Sequence, residues 1–257
     1  MKATYHNHTP RCKHATGSEE KYLLAAIRNE YDIFGFSDHA PHLWTDALAD
    51  SRMAPKELPR YVSDIKALRK KYGAKIDVKI GLELEYYPQT HATDMAYYRE
   101  CGIEYLILGQ HTIGNGRPND HINSFAETDA KEKYTVYVNQ CIEAMRTGDF
   151  CCFAHPDVFK YRADADFYRQ ESERLINEAI ALKIPLEVNM YGLVDCRHYP
   201  NPMFWELVGK TNAEVVIGRD AHSIARVHND AELQAALRFA DKYKLNVVDT
   251  IKLPQKL

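Results

Sequence analysis

Short apolar runs alternate with longer segments of helical period along the whole chain. The runs Ala3–Tyr5, Ile33–Phe36, Ile76–Leu82, Tyr105–Leu108, Phe150–Ala154, Pro185–Val188 and Val215–Ile217 have the length and composition of buried strands. Between them, Glu19–Asn29, Leu58–Tyr72, His91–Glu100, Asp129–Thr147, Asp166–Leu182, Pro202–Lys210 and Asp230–Tyr243 read as helices. In the fourth, Tyr134, Val138, Cys141, Ile142 and Met145 fall on one face and predict a core stripe. Seven strand-then-helix units imply a parallel sheet with right-handed crossovers. Nothing divides the units into two halves. The expectation is therefore one domain over residues 1–257, a closed seven-stranded α/β barrel, with an open doubly wound sheet as the alternative.

Four segments that follow strand ends are long and polar: Asn7–Ser18, His39–Lys56, Gln110–Thr128 and Met190–Asn201. In a (β/α) barrel such loops lie on the C-terminal face, where these folds place their chemistry.

Composition narrows the classes. The chain has 257 residues, 45% hydrophobic and 27% charged, ordinary for a soluble globular protein with a sizeable core. A formal net charge of −3 points to neither a nucleic-acid nor a membrane surface. The opening Met1–His6 has no apolar signal region, and no apolar stretch approaches the roughly 18 residues of a membrane span, so a cytoplasmic location is expected. Six cysteines without C-x-x-C spacing are expected to be reduced and mostly buried. Histidine is the unusual entry, at twelve.

The histidines gather at strand ends. The first strand runs into His6-Asn7-His8, where alternation aims two imidazoles to one side, and His14 follows. The second ends in Ser37-Asp38-His39, and the third gives Glu83 and Glu85 on one face with Leu82 and Leu84 on the other. A carboxylate in an apolar strand is costly unless paired or metal-bound. The fourth strand ends in His111, the fifth in His155, and the seventh in Asp220-Ala221-His222. In a barrel these ends converge on one mouth. His6, His8, His14, His39, Glu83, His111, His155, Asp220 and His222 are too many ligands for one ion. With one carboxylate bridging they suit two or three divalent ions, and mixed N/O donors favour Zn, Mn or Fe over Mg or Ca.

These segments resemble the polymerase-and-histidinol-phosphatase (PHP) superfamily, and within it the monofunctional histidinol-phosphatase branch. The matching pieces are His6-Asn7-His8 with Cys12-Lys13-His14-Ala15, Gly35 to Pro41, Gly81 to Tyr86, Leu106 to His111, Ala154-His155-Pro156 and Gly218-x-Asp220-Ala221-His222. The resemblance implies a distorted (β/α)7 barrel with its active site at the C-terminal strand ends. It implies a first ion on His6, His8, Glu83 and Asp220, a second on Glu83, His111 and His155, and a third on His14, His39 and His222. Glu83 and Asp220 are the carboxylates expected to serve catalysis. One departure is Arg219, where the family usually has a small residue. It is expected to point away from the site into a surface ion pair, the alternative being a phosphate clamp.

The implied reaction is hydrolysis of a phosphomonoester, L-histidinol phosphate, by in-line attack of a metal-bridging hydroxide. Arg162 and Arg197, in loops at the mouth, are the candidates for phosphate binding. His198 is a candidate substrate contact, and Asp38 and Asp157 are candidate proton donors. The competing readings are a phosphoesterase for another small phosphomonoester or nucleotide, a C–N bond hydrolase of a different barrel superfamily, and metal storage. Storage proteins bunch histidines into tracts, whereas these are spread over the chain. Oligomeric state is not legible.

Overall fold

Alternation along each strand decides what faces the helices and what faces the barrel. The computed structural model describes residues 2–44, 49–117, 120–254 and 257. Positions 45–48 and 118–119 of two of the long loops therefore lie outside the described residues. The order is β1 (Ala3–Thr4), α1 (Glu19–Arg28), β2 (Ile33–His39), α2 (Leu58–Tyr72), β3 (Asp77–Leu84), α3 (His91–Cys101) and β4 (Tyr105–Leu108). A hairpin, β5 (Thr112–Arg117) and β6 (Asp120–Asn123), precedes α4 (Lys131–Arg146), β7 (Cys152–Phe153) and α5 (Ala165–Leu182). Then come β8 (Leu186–Asn189), α6 (Met190–Val194), α7 (Pro202–Val208), β9 (Glu214–Gly218), α8 (Ile224–Val227), α9 (Asp230–Lys242) and β10 (Asn246–Val247).

The sheet has eight parallel strands in the order β1-β2-β3-β4-β7-β8-β9-β10 and curls into a half-barrel with helices around it. The seven expected strands are all present, and β10 is one more than expected. Both its residues are exposed, so it left no apolar run to read. At the mouth the rim is drawn together by a parallel bridge between Asn7 and Ala221, with His8 N–H donating to Ala221 O at 3.0 Å.

Outward-facing residues such as Phe34 and Phe36 of β2, Leu82 and Leu84 of β3 and Leu106 and Leu108 of β4 pack into the main core under the helices. Each such side chain contributes about 1.5–3 kcal/mol on full burial. The expected stripe on α4 is there: Tyr134, Val138, Cys141, Ile142 and Met145 are all buried. Inward, Tyr5, Tyr105, Ile107, Cys152, Ala154 and Val216 form a separate apolar cluster that floors the barrel. Tyr105 crosses this interior, its hydroxyl donating to Tyr5 O (2.7 Å) and Phe36 O (3.0 Å). Gly81 makes room for it, since a Cβ there would lie 2.4 Å from the Tyr105 ring. Above this floor the inward positions turn polar.

Candidate metal centre at the mouth of the barrel

The nine strand-end residues come together. Their side chains meet above the apolar floor, and most border a cavity of about 320 Å³ walled also by Arg52, Thr112, Asn123, Phe125, Tyr191, Arg197 and Tyr199. Glu83 stands at the centre. Its Oε1 lies 2.9 Å from His155 Nε2, 3.3 Å from His111 Nε2 and 3.5 Å from His6 Nε2, and its Oε2 3.0 Å from His39 Nδ1. Asp220 Oδ1 lies 3.1 Å from His8 Nε2 and 3.6 Å from His6 Nε2. Groups of donor atoms within 4.8 Å of one another include His6–His8–Glu83, His6–His155–Asp220, His39–Glu83–His111 and His14–His39–His222.

The hydrogen bonds show which nitrogens are free. His14 Nδ1 faces Cys12 O at 2.7 Å and His222 Nδ1 faces Asp220 O at 3.0 Å. A carbonyl only accepts, so each Nδ1 carries the hydrogen and each Nε2 of the neutral ring is a bare lone pair. Those two Nε2 atoms face each other at 3.0 Å. Two lone pairs head-on repel unless a cation sits between them, and this spacing is close to that of neighbouring ligands at roughly 2.0–2.1 Å from one ion. Two further rings turn Nε2 to the same cluster. His6 Nδ1 donates to Glu187 (2.7 Å) and His111 Nδ1 to Glu85 (2.8 Å), so both present Nε2 to the Glu83 carboxylate. Among the described residues, buried Glu83 Oε2, Asp220 Oδ1, His8 Nδ1, His39 Nδ1 and His155 Nδ1 make no well-aligned hydrogen bond. In a dry interior such atoms are costly. The donor set fits divalent cations.

The local electrostatics are correspondingly frustrated. Burial and the neighbouring His8 push His39 down to about 3. Against burial, Asp220 and Asp38 lift His8 to about 9, and Glu83 and Glu85 lift His111 to about 10. Burial raises the Glu83 carboxyl, yet His111, His6 and His39 together hold it well below the ordinary carboxylate range. Two of the nine residues also sit in left-handed backbone, His155 at φ 32° and Asp220 at φ 48°. Non-glycine residues adopt that region at a cost of about 1–3 kcal/mol, which is met where the surroundings over-determine the site.

A family model described as PHP domain matches residues 4–190. The chain belongs to the PHP domain family. A relative from Deinococcus radiodurans named "Probable histidinol-phosphatase" is 28% identical over 244 residues, 93% of this chain and 90% of that one. The histidinol-phosphatase of Bacillus subtilis is 35% identical over 86 residues, 32% of each chain. A solved histidinol phosphate phosphatase from Lactococcus lactis, complexed with Zn, L-histidinol and phosphate, superposes with a TM-score of 0.73 at 18% identity and 99% coverage of both chains. That likeness shows the shared distorted-barrel fold.

In this PHP chain the residues named from sequence outside the nine divide. Arg197 borders the cavity, its guanidinium 4.4 Å over the Tyr191 ring and donating to the Tyr191 hydroxyl at 2.9 Å. Arg162 instead lines a neighbouring cavity with His198 and reaches Glu127 at 3.6 Å. His198 itself is held by Val158 O at 2.6 Å. Asp38 and Asp157 are buried away from the cavity. Asp38 accepts from Thr9 and His39, and Asp157 from the Trp205 indole and the Asn201 backbone. Arg219 does point away from the site, but into the interior rather than a surface ion pair. It is 1% exposed, donates to the Tyr31 hydroxyl at 2.9 Å and pairs with no carboxylate among the described residues. The reason is that the α1 end and the segment before α9 close over it.

Sequence reasoning missed Arg52 and Glu187. Arg52 holds Glu85 with two 2.8 Å bonds, and Glu85 in turn fixes His111. Glu187 lies on β8 inside an apolar strand, the same signal that flagged Glu83.

Proposed function

We propose that this PHP chain hydrolyses L-histidinol phosphate to L-histidinol and phosphate, with two or three divalent ions of the Zn, Mn or Fe class held by the nine mouth residues. The observation that carries the reading is the convergence of imidazole nitrogens on one mouth: the facing Nε2 atoms of His14 and His222, and those of His6 and His111 turned to Glu83. The names of the relatives from Deinococcus radiodurans and Bacillus subtilis support the substrate. His6, His8, Glu83 and Asp220 would hold one ion, Glu83, His111 and His155 a second, and His14, His39 and His222 a third. Such ions supply Lewis acidity towards phosphoryl oxygens and bring the pKa of water towards neutrality.

The chain's own residues supply the rest. The Arg197 guanidinium at the wall offers a planar match to phosphate oxygens. Phe125, stacked on His111 with centroids 5.9 Å apart, and Tyr199 give the cavity an apolar aromatic side suited to the carbon and ring portion of the substrate. Below the mouth the barrel interior is apolar, built from Tyr5, Tyr105, Ile107, Cys152 and Val216.

The test is steady-state hydrolysis of L-histidinol phosphate against p-nitrophenyl phosphate, with bound metal measured on the same preparation. A kcat/KM at least about 100-fold higher for histidinol phosphate, on protein carrying two or three ions, is expected. Equal values for both substrates would overturn the substrate, and an active metal-free preparation would overturn the ion set.

A further inference from the structure

β8 is the strand between β7 and β9, and its end carries none of the nine residues, yet its Glu187 and Asn189 are 2% and 1% exposed and point at them. We propose that Glu187 and Asn189 are positioning residues that lock His6 and Asp220 into a preformed pair of donors. The proposal rests on the metal-holding reading above and deepens it.

The hydrogen bonds run in one direction. Asn189 Oδ1 accepts from Gly192 N–H at 2.8 Å, which caps α6 and leaves the Nδ2 group turned to the barrel. Its two hydrogens then serve two carboxylates, Glu187 Oε2 at 2.9 Å and Asp220 Oδ2 at 3.0 Å. Asp220 is held by its far oxygen, so Oδ1 is the one aimed at His6 and His8. Glu187 takes three donors in all: His6 Nδ1 at 2.7 Å on Oε1, and on Oε2 both Asn189 and the His155 backbone N–H at 3.1 Å. His6 is thus fixed by its far nitrogen and presents Nε2. A backbone group, the α6 cap, sets the orientation of the amide, the amide sets the two carboxylates, and these set the ring and the donor oxygen.

The packing is committed to the same arrangement. Gly218 faces Asn189 across the β8–β9 ladder, and a Cβ on it would lie 1.6 Å from Glu187 Oε1. Gly109 stands in the same relation to Glu83, with a Cβ there 2.2 Å from Oε1. Two inward carboxylates therefore occupy space left by glycines on the adjacent strand.

A carboxylate is required because all three groups facing Glu187 are donors. Glutamine has one acceptor oxygen and must turn its NH2 towards either His6 or the His155 and Asn189 pair. Turned to His6, it favours the ring tautomer whose hydrogen is on Nε2, and the donor lone pair is lost from the site.

The experiment is metal binding by chelator competition and by Co(II) absorption, on the wild type, E187Q, N189A and G218A, with circular dichroism as the check on folding. For E187Q and G218A we expect metal affinity about 10–100-fold weaker for one ion, a changed Co(II) spectrum, and unchanged affinity for the ion on His14, His39 and His222. N189A should shift in the same direction by less. In the double variant E187A/G218A the loss should be no greater than in E187A, because the added methyl no longer meets a side chain. Wild-type affinity and spectrum in a folded E187Q would overturn the proposal while the metal-holding reading stands. Should E187Q not fold, N189A decides on the same readouts. A wild-type protein that takes up no Co(II) overturns both.

Discussion

The barrel interior has two halves made from the same strands. Below, Tyr105, Ile107, Cys152 and Val216 pack as an apolar floor, and the Tyr105 hydroxyl has both its partners. Above, continuing along the same inward rows, Gly81 gives way to Glu83, Ser37 to His39 and Tyr5 to the His6–His8 turn. There, among the described residues, buried polar atoms such as His155 Nδ1 and Glu83 Oε2 make no well-aligned hydrogen bond, and backbone is held left-handed at His155 and Asp220. The floor is a stability device and the mouth is a site kept at a cost. The difference teaches that position along a strand, not which strand, separates folding from chemistry here. It also says how each half should respond when it is disturbed.

The largest effect should follow from removing the centre of the mouth. Glu83 touches His6, His39, His111 and His155 at 3.5 Å or less. E83Q keeps the volume and removes the charge. Hydrolysis under saturating metal should fall by about 10³-fold or more, equivalent to roughly 4 kcal/mol of barrier. A loss under tenfold would show that Glu83 is not the bridge.

Next comes removal of the ions. Buried carboxylates and imidazoles are crowded together in the mouth, so binding of ions there should stabilise the fold by about 4 kcal/mol at a free ion concentration 1,000 times Kd. Calorimetry with and without chelator measures this. Hydrogen exchange should localise the gain to the segments after β1, β7 and β9, with the floor unchanged. A uniform gain over both halves would erase the distinction between them.

The floor should give the opposite pattern. Ile107→Ala removes a side chain 1% exposed and should cost about 2–4 kcal/mol in unfolding free energy. Metal stoichiometry and KM should stay at the wild-type values, since its side chain supplies no polar atom to the cluster. A drop in metal content at constant folding would mean that the floor shapes the site.

Much of this division was legible from sequence, and the failures have physical causes. Strand runs such as Tyr105–Leu108 and the helix Leu58–Tyr72 were readable to the residue because both faces of the strand and one face of the helix are buried. β10 was not, because an exposed Asn246–Val247 pair carries no hydrophobic signal. The β5–β6 hairpin reads as loop because Gly114, Asn115 and Gly116 look like punctuation rather than strand. All nine mouth residues are legible because histidines and carboxylates at the ends of buried strands stand out against the apolar runs. Arg52 is not, since its partner Glu85 is 33 residues distant and its own segment has no periodicity. Glu187 could be. A carboxylate in a buried strand is the same clue that marks Glu83, but no histidine stands beside it.

The smallest effects concern the two arginines placed in the mouth loops by sequence, and they set the outer edge of the site. Arg197 lies on the cavity wall, braced over Tyr191, whose ring in turn lies 5.2 Å from that of His222. Truncating it removes a cation facing the space beside the cluster, and R197A should raise KM for the phosphoester about 10-fold, near 1.4 kcal/mol, with a smaller change in kcat. Arg162 is 59% exposed and faces Glu127 in the neighbouring cavity. An exposed pair of that kind is worth about 0–1 kcal/mol to the fold, and its loss leaves the mouth intact. R162A should therefore change kcat/KM by less than about twofold. Steady-state kinetics on the two variants decides the point. If R162A proves as costly as R197A, the loop after β7 must close over the substrate, and the site extends beyond the mouth of the barrel.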